Sequence, residues 1–168
     1  RFHPGSLIVS VGSYGCNLRC PFCQNNSISW SEAVKNAADR AEYVSPEMLA
    51  ETAYRYQNTG NIGVAFTYNE PLIGYEYVRD TAELVHERGM KNVLVTNGTA
   101  SLEVLHELLP YIDAMNIDLK GFTDRYYTEV LGGDRNMVMD FIKEAVKRCH
   151  VELTTLIIPG ENDSEEEM

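Results

Sequence analysis

Five short runs of apolar, β-favouring residues constrain the fold of this chain more than any other feature: Ser6–Val11, Ile62–Tyr68, Asn92–Thr96, Ala114–Leu119 and Val151–Ile158. Each is nearly continuous in apolar residues rather than alternating, the pattern of strands covered on both faces in a parallel sheet. The stretches between them carry helical spacing with readable ends. Ser45 before Pro46 is an N-cap with proline at the first helical position. Leu49, Ala53 and Tyr56 then share one face, and Gly60 stops the run. Pro71 opens a second helix, with Tyr75, Val78, Ala82 and Val85 on its inward face and Gly89 as its stop. Ser101 caps a third, which Pro110 ends, and Phe141, Ile142, Ala145 and Val146 mark the inward face of a fourth. Alternating strands and helices predict repeated βα units around a parallel sheet.

Such units build either an open doubly wound sheet or a β/α barrel. Polar residues suited to chemistry follow several successive strands, and barrel enzymes assemble their sites at the C-terminal ends of strands. The chain begins just before a strand and stops in what reads as a helix start at Asn162-Asp163-Ser164. The expected fold class is therefore α/β, a partial parallel (β/α) barrel in one domain over residues 1–168, truncated at both ends.

Composition narrows the partners. The formal net charge of −11 argues against nucleic acid or an anionic membrane as the main partner. No apolar run approaches the roughly 20 residues of a membrane span, and Arg1 is followed by no signal-peptide core. Three of the four cysteines, Cys16, Cys20 and Cys23, fall together while Cys149 stands far away. A disulfide scaffold spreads its cysteines to staple loops, so clustered thiols in a reducing cytoplasm are the better reading.

The cluster lies in Gly15-Cys16-Asn17-Leu18-Arg19-Cys20-Pro21-Phe22-Cys23, directly after the first strand. Gly12 and Gly15 give the backbone freedom to curl around a metal centre, and Pro21 discourages a regular helix. Iron–sulfur clusters ordinarily take four protein thiolates; three leave one iron open to a ligand. Zinc remains open from the residues alone, with Cys149, His150 or His3 as a fourth ligand. That alternative is a zinc-stabilised binding module without catalysis.

The C-x-x-x-C-x-x-C spacing, with the aromatic Phe22 before the last cysteine, resembles the radical S-adenosylmethionine superfamily. The resemblance continues through Thr67-Tyr68-Asn69-Glu70-Pro71, Thr96-Asn97-Gly98 and Asp118-Leu119-Lys120. These are similar to the strand-end segments of pyruvate formate-lyase activating enzymes. Ser10–Cys16 and Thr154–Gly160 are closer to the AmmeMemoRadiSam-type branch.

The family likeness implies a [4Fe-4S] cluster on Cys16, Cys20 and Cys23, with its open iron holding S-adenosylmethionine. It implies reductive cleavage to a 5′-deoxyadenosyl radical that abstracts hydrogen from a protein glycine or a small molecule. Cofactor contacts are implied at Phe22, Asn69, Glu70, Thr96, Asn97, Asp118 and Lys120, with Glu70 on the methionyl amino group and Lys120 on its carboxylate. Tyr68 and Asn69 stand where the activating enzymes commonly have glycines. Val95 replaces an acid often found before the T-N-G turn, and Thr154 replaces an arginine of the fifth strand. The span from Gln24 to Asn61 holds no cysteine, so the likeness implies an external electron donor such as flavodoxin or ferredoxin.

Overall fold

The computed structural model of the chain describes residues 1–38 and 41–167. Five parallel strands form one sheet in sequence order: β1 (Leu7–Val11), β2 (Asn61–Phe66), β3 (Lys91–Thr96), β4 (Ala114–Asp118) and β5 (His150–Thr154). The register pairs Val9 with Val64, Ala65 with Val93, Val95 with Asn116, and Asp118 with Thr154. Each strand pairs with the next and the order never reverses. Right-handed crossovers then step always the same way and put their helices on one face. This order separates a partial (β/α) barrel from a doubly wound sheet.

Among the described residues six α-helices accompany the strands: α1 (Asn26–Ser29), α2 (Ala33–Ala38), α3 (Pro46–Arg55), α4 (Tyr75–Glu87), α5 (Leu102–Leu108) and α6 (Arg135–Ala145). Ser45 accepts from the Met48 N–H and Ser101 from the Val104 N–H, so both serine caps form as the sequence predicts. One core packs Leu49 and Ala53 of α3, Val78, Ala82 and Val85 of α4, and Phe141 and Ala145 of α6 against Val64, Leu94 and Ile117 of the sheet. With Met115 and Ile117 buried there, the two-residue period of β4 turns Asn116 and Asp118 to the opposite, concave face.

Several expectations are corrected. Continuous burial holds for Val64, Ala65 and Phe66 of β2. The outer strands β1 and β5 are half exposed, because each is an edge of an open sheet. β5 stops at Thr154 rather than Ile158. Its ladder runs out with β4 at Asp118, and the following residues wrap around fully buried Asn162. Asn162 donates to Lys120 O and Leu156 O and accepts from the Ile158 N–H.

Asn162 therefore anchors a loop, and turns rather than a helix follow it among the described residues. Pro71 opens a single 3-10 turn, Pro71–Gly74, before α4 begins. Tyr56 and Val146 are helix C-caps and point to solvent, the helical spacing having ended one residue earlier. The spacing also gives no warning of α1 and α2, or of a π-helical segment at Tyr126–Leu131.

Candidate metal and cofactor site

After β1 the chain enters the cysteine loop. Gly15 has φ +107°, a backbone conformation that favours glycine, and a side chain there would also have to displace the tip of Ile73. The Gly15 N–H donates to Ile28 O at 2.8 Å and closes the loop; the Cys23 N–H donates to Cys20 O at 3.1 Å and tightens it. Leu18 is buried in the core and the Arg19 N–H donates to Leu131 O, so the π-helical segment supports the middle of the loop. All three loop cysteines are free thiols.

The thiols open on a cavity of about 560 Å³ at the C-terminal ends of the strands. Phe22, Asn69, Glu70, Thr96, Asn97, Asp118 and Lys120 line the same cavity as Cys16, Cys20 and Cys23. The fold thus brings every site residue expected from the sequence to one place. The volume lies in the range of roughly 300–1,000 Å³ usual for small-molecule sites.

Glu70 is the electrostatic centre. Only 1% exposed, its carboxyl accepts from Thr96 Oγ1 at 2.6 Å, the Asn97 N–H at 2.7 Å and the Leu72 N–H at 3.0 Å. Burial nonetheless outweighs these donors and pushes the carboxyl up to about 7, with the Asp118 charge adding to the rise. The Leu72 bond also caps the 3-10 turn, so Glu70 serves the local backbone and the cavity together.

Across the cavity, Lys120 Nζ pairs with Asp118 Oδ2 at 2.6 Å. The Lys120 cation partly offsets the burial that raises the Cys20 thiol. Burial pushes the Cys16 thiol up to about 11, against a hydrogen bond from the Leu18 N–H. Asn97 Nδ2 reaches both Cys16 Sγ at 3.7 Å and Asn17 Oδ1 at 2.9 Å. Val95 lines the cavity, while Thr154 donates to Asn116 Oδ1 and lies outside the lining.

The zinc candidates stand elsewhere. Cys149 and His150 lie at the start of β5 and His3 precedes β1, at the opposite end of the sheet from the triad. Burial also pushes the Cys149 thiol up to about 11, and its Sγ donates to Ala145 O at 3.6 Å. Among the described residues no three His, Cys, Asp or Glu side chains converge on a single-ion site. In an iron–sulfur cluster each thiolate takes a different iron, so the three need only face one cavity.

Other lining residues were not singled out for this site from sequence: Asn25, Ser29, Trp30 and Leu156. Trp30 is the only tryptophan in the chain, a faint signal at most. Tyr68 is 55% exposed at the rim and holds φ +73°, the left-handed conformation that glycine adopts freely. That is the physical reason a glycine suits this position.

Fold and site together define a partial (β/α) barrel protein whose strand ends carry a cysteine loop. The Radical SAM superfamily pattern matches residues 10–168, and the chain belongs to that family. An uncharacterized protein of Methanocaldococcus jannaschii is 40% identical over 167 residues, 98% of this chain and 47% of that protein. Pyruvate formate-lyase 1-activating enzyme of Escherichia coli K12 is 27% identical, over 90% of this chain and 61% of the enzyme. The 4-hydroxyphenylacetate decarboxylase activating enzyme of Clostridium scatologenes is 28% identical, over 92% and 47%. The chain thus spans about half to two thirds of the length of these relatives.

Streptococcus suis SuiB bound to S-adenosylmethionine shares the fold, with a TM-score of 0.70 at 15% identity, covering 96% of this chain and 36% of that one. Methylornithine synthase does so with a TM-score of 0.60 at 16% identity, covering 96% and 48%. Among the described residues no helix is long and apolar enough to cross a membrane.

Proposed function

We propose that residues 1–168 act as one domain, the cluster- and cofactor-binding part of an activating-type radical enzyme. The carrying observation is that three free thiols, the buried Glu70 carboxyl and the Lys120–Asp118 pair share one cavity. A [4Fe-4S] cluster on Cys16, Cys20 and Cys23 would supply the electron that cleaves bound S-adenosylmethionine to a 5′-deoxyadenosyl radical, the species that takes hydrogen from substrate.

The chain's own residues fit those two groups. Glu70 has its hydrogen-bond acceptors aimed by Thr96 and Asn97, and among the described residues no cation pairs with it. The methionyl ammonium would bring one and draw the carboxyl down into its charged form. Lys120 would offer its ammonium to the cofactor carboxylate, with Asp118 holding the side chain at the cavity wall. Phe22 and Trp30 would supply apolar wall against the adenosine.

The activating-enzyme relatives support a partner protein as hydrogen donor, and the sequence resemblance implies a glycine of it. With no further cysteine between Gln24 and Asn61, an external reductant such as flavodoxin or ferredoxin fits better than a second cluster there. The chemistry also suits a reducing cytoplasm.

The test is anaerobic reconstitution with iron and sulfide, followed by reduction in the presence of S-adenosylmethionine. The expected result is a brown protein with about four irons per chain that releases 5′-deoxyadenosine on reduction. Stoichiometric zinc in place of iron, with no deoxyadenosine from a full-length protein, would sink the reading.

A further inference from the structure

We propose that Asn69 is a positioning residue that, with the left-handed turn at Tyr68, latches both arms of the cysteine loop to the end of β2 before a cluster is present. On the upstream arm, Asn69 Oδ1 accepts from the Ser13 N–H at 3.0 Å. Its Nδ2 donates to Ser13 Oγ at 2.8 Å and to Gly15 O at 3.0 Å. Both amide hydrogens are thereby engaged, which leaves no Asn69 donor for a ligand in the cavity. On the downstream arm, Asn25 Nδ2 donates to Tyr68 O at 2.7 Å.

The three cysteines lie between these two anchor points. Tyr68 holds φ +73°, a conformation that costs a tyrosine energy and persists only where its surroundings hold it. Here the surroundings are the loop itself. Rotation to an ordinary backbone angle would swing Tyr68 O from Asn25 and carry the Asn69 side chain off Ser13 and Gly15.

The two residues thus replace backbone freedom with hydrogen bonds to each side of the triad. A loop ordered in advance loses less conformational entropy when it takes up a cluster. That consequence rests on the cluster reading proposed above; the latch itself concerns the metal-free chain.

The experiment is timed alkylation of the reduced, metal-free protein with N-ethylmaleimide, read cysteine by cysteine by mass spectrometry. Cys149, at the far end of the sheet, is the internal reference. In Asn69→Ala, Cys16 is expected to react about tenfold faster relative to Cys149, the effect of losing one to two net hydrogen bonds. Asn25→Ala should act chiefly on Cys23, and Asn69→Asp, which keeps the Ser13 N–H bond, should fall between wild type and alanine. This asymmetry between the two arms is a signature that general loss of stability would not produce.

Equal Cys16 rates in wild type and Asn69→Ala would overturn the proposal, as would an increase shared equally by Cys149. A raised Cys16 rate in a protein that never assembles a cluster would support the latch and remove the cluster reading instead.

Discussion

Glu70 and Asn97 are joined across the ends of β2 and β3 by a 2.7 Å hydrogen bond from the Asn97 N–H to Glu70 Oε2. The bond commits a carboxyl to the dry side of a cavity on whose wall Lys120 pairs with Asp118.

Its titration has a definite sign. The folded carboxyl sits at about 7, above the unfolded value of about 4.5. Its contribution to stability is complete below pH 4.5 and is lost as pH rises through 7. Unfolding free energy of the metal-free protein, from urea titrations between pH 5 and 8, should fall with a component of order 2–3 kcal/mol from this group. Glu70→Gln should flatten that component. An identical pH slope in the variant would contradict the burial argument.

The cysteines divide by place. Cys16→Ala, Cys20→Ala and Cys23→Ala should each abolish the visible absorbance of the reconstituted protein. Cys149→Ala should retain it, because that thiol is at the start of β5. Loss of absorbance in Cys149→Ala would revive a four-ligand centre.

Gly63 is a steric requirement of the sheet. A Cβ there would run into the backbone carbonyl of Lys91, with the Lys91 carbonyl carbon at 2.6 Å, and backbone has no rotamer with which to yield. Gly63→Ala should destabilise the protein by at least about 3 kcal/mol, read as a lower urea midpoint or as insoluble expression.

Relief of strain should work in the other direction. Tyr68→Gly removes the left-handed penalty and gives back part of the gain as chain entropy, for a net stabilisation of about 1 kcal/mol. A lowered urea midpoint would mean that the tyrosine ring contributes more packing than its exposure suggests.

At the other end of the sheet, burial works against the Asp113 charge, but Lys91 Nζ, His86 Nε2 and the Asn92 N–H, each at 2.8 Å, together hold its carboxyl below the usual range. Its stabilisation is present above the unfolded value and lost as pH falls through the folded one. Asp113→Asn should cost about 2 kcal/mol at pH 7. That cost should shrink in acid below the folded titration point; a constant cost across the range would show that charge plays no part.

The strands were legible because parallel sheets need apolar residues on both sides, and the serine caps because they sit beside the backbone they satisfy. The triad was legible from its spacing, whereas Thr96-Asn97-Gly98 and Asp118-Leu119-Lys120 were legible only through the family resemblance, since alone they read as a turn and a strand-end ion pair. Local sequence could not announce the end of β5, which depends on Asn162 reaching back to Lys120, 42 residues away. Nor could it show Asn25 as the partner of Tyr68 O, 43 residues on. The π-helical Tyr126–Leu131 lacks a side-chain cap, so nothing marks its start. Glu70 was legible as a polar residue at a strand end, but its near-complete burial is a property of the assembled sheet.

The distances along the chain within the site set an order of events during synthesis. Cys16 leaves the ribosome 81 residues before Asn97, and Ser13 leaves 56 residues before Asn69. While the thiols first emerge, the strand ends that shape their loop do not yet exist, and translation runs at about 5–20 residues per second. An iron–sulfur donor acting on the nascent chain would therefore meet an unformed loop for several seconds. Delivery after β3 has docked would meet thiols already facing a cavity.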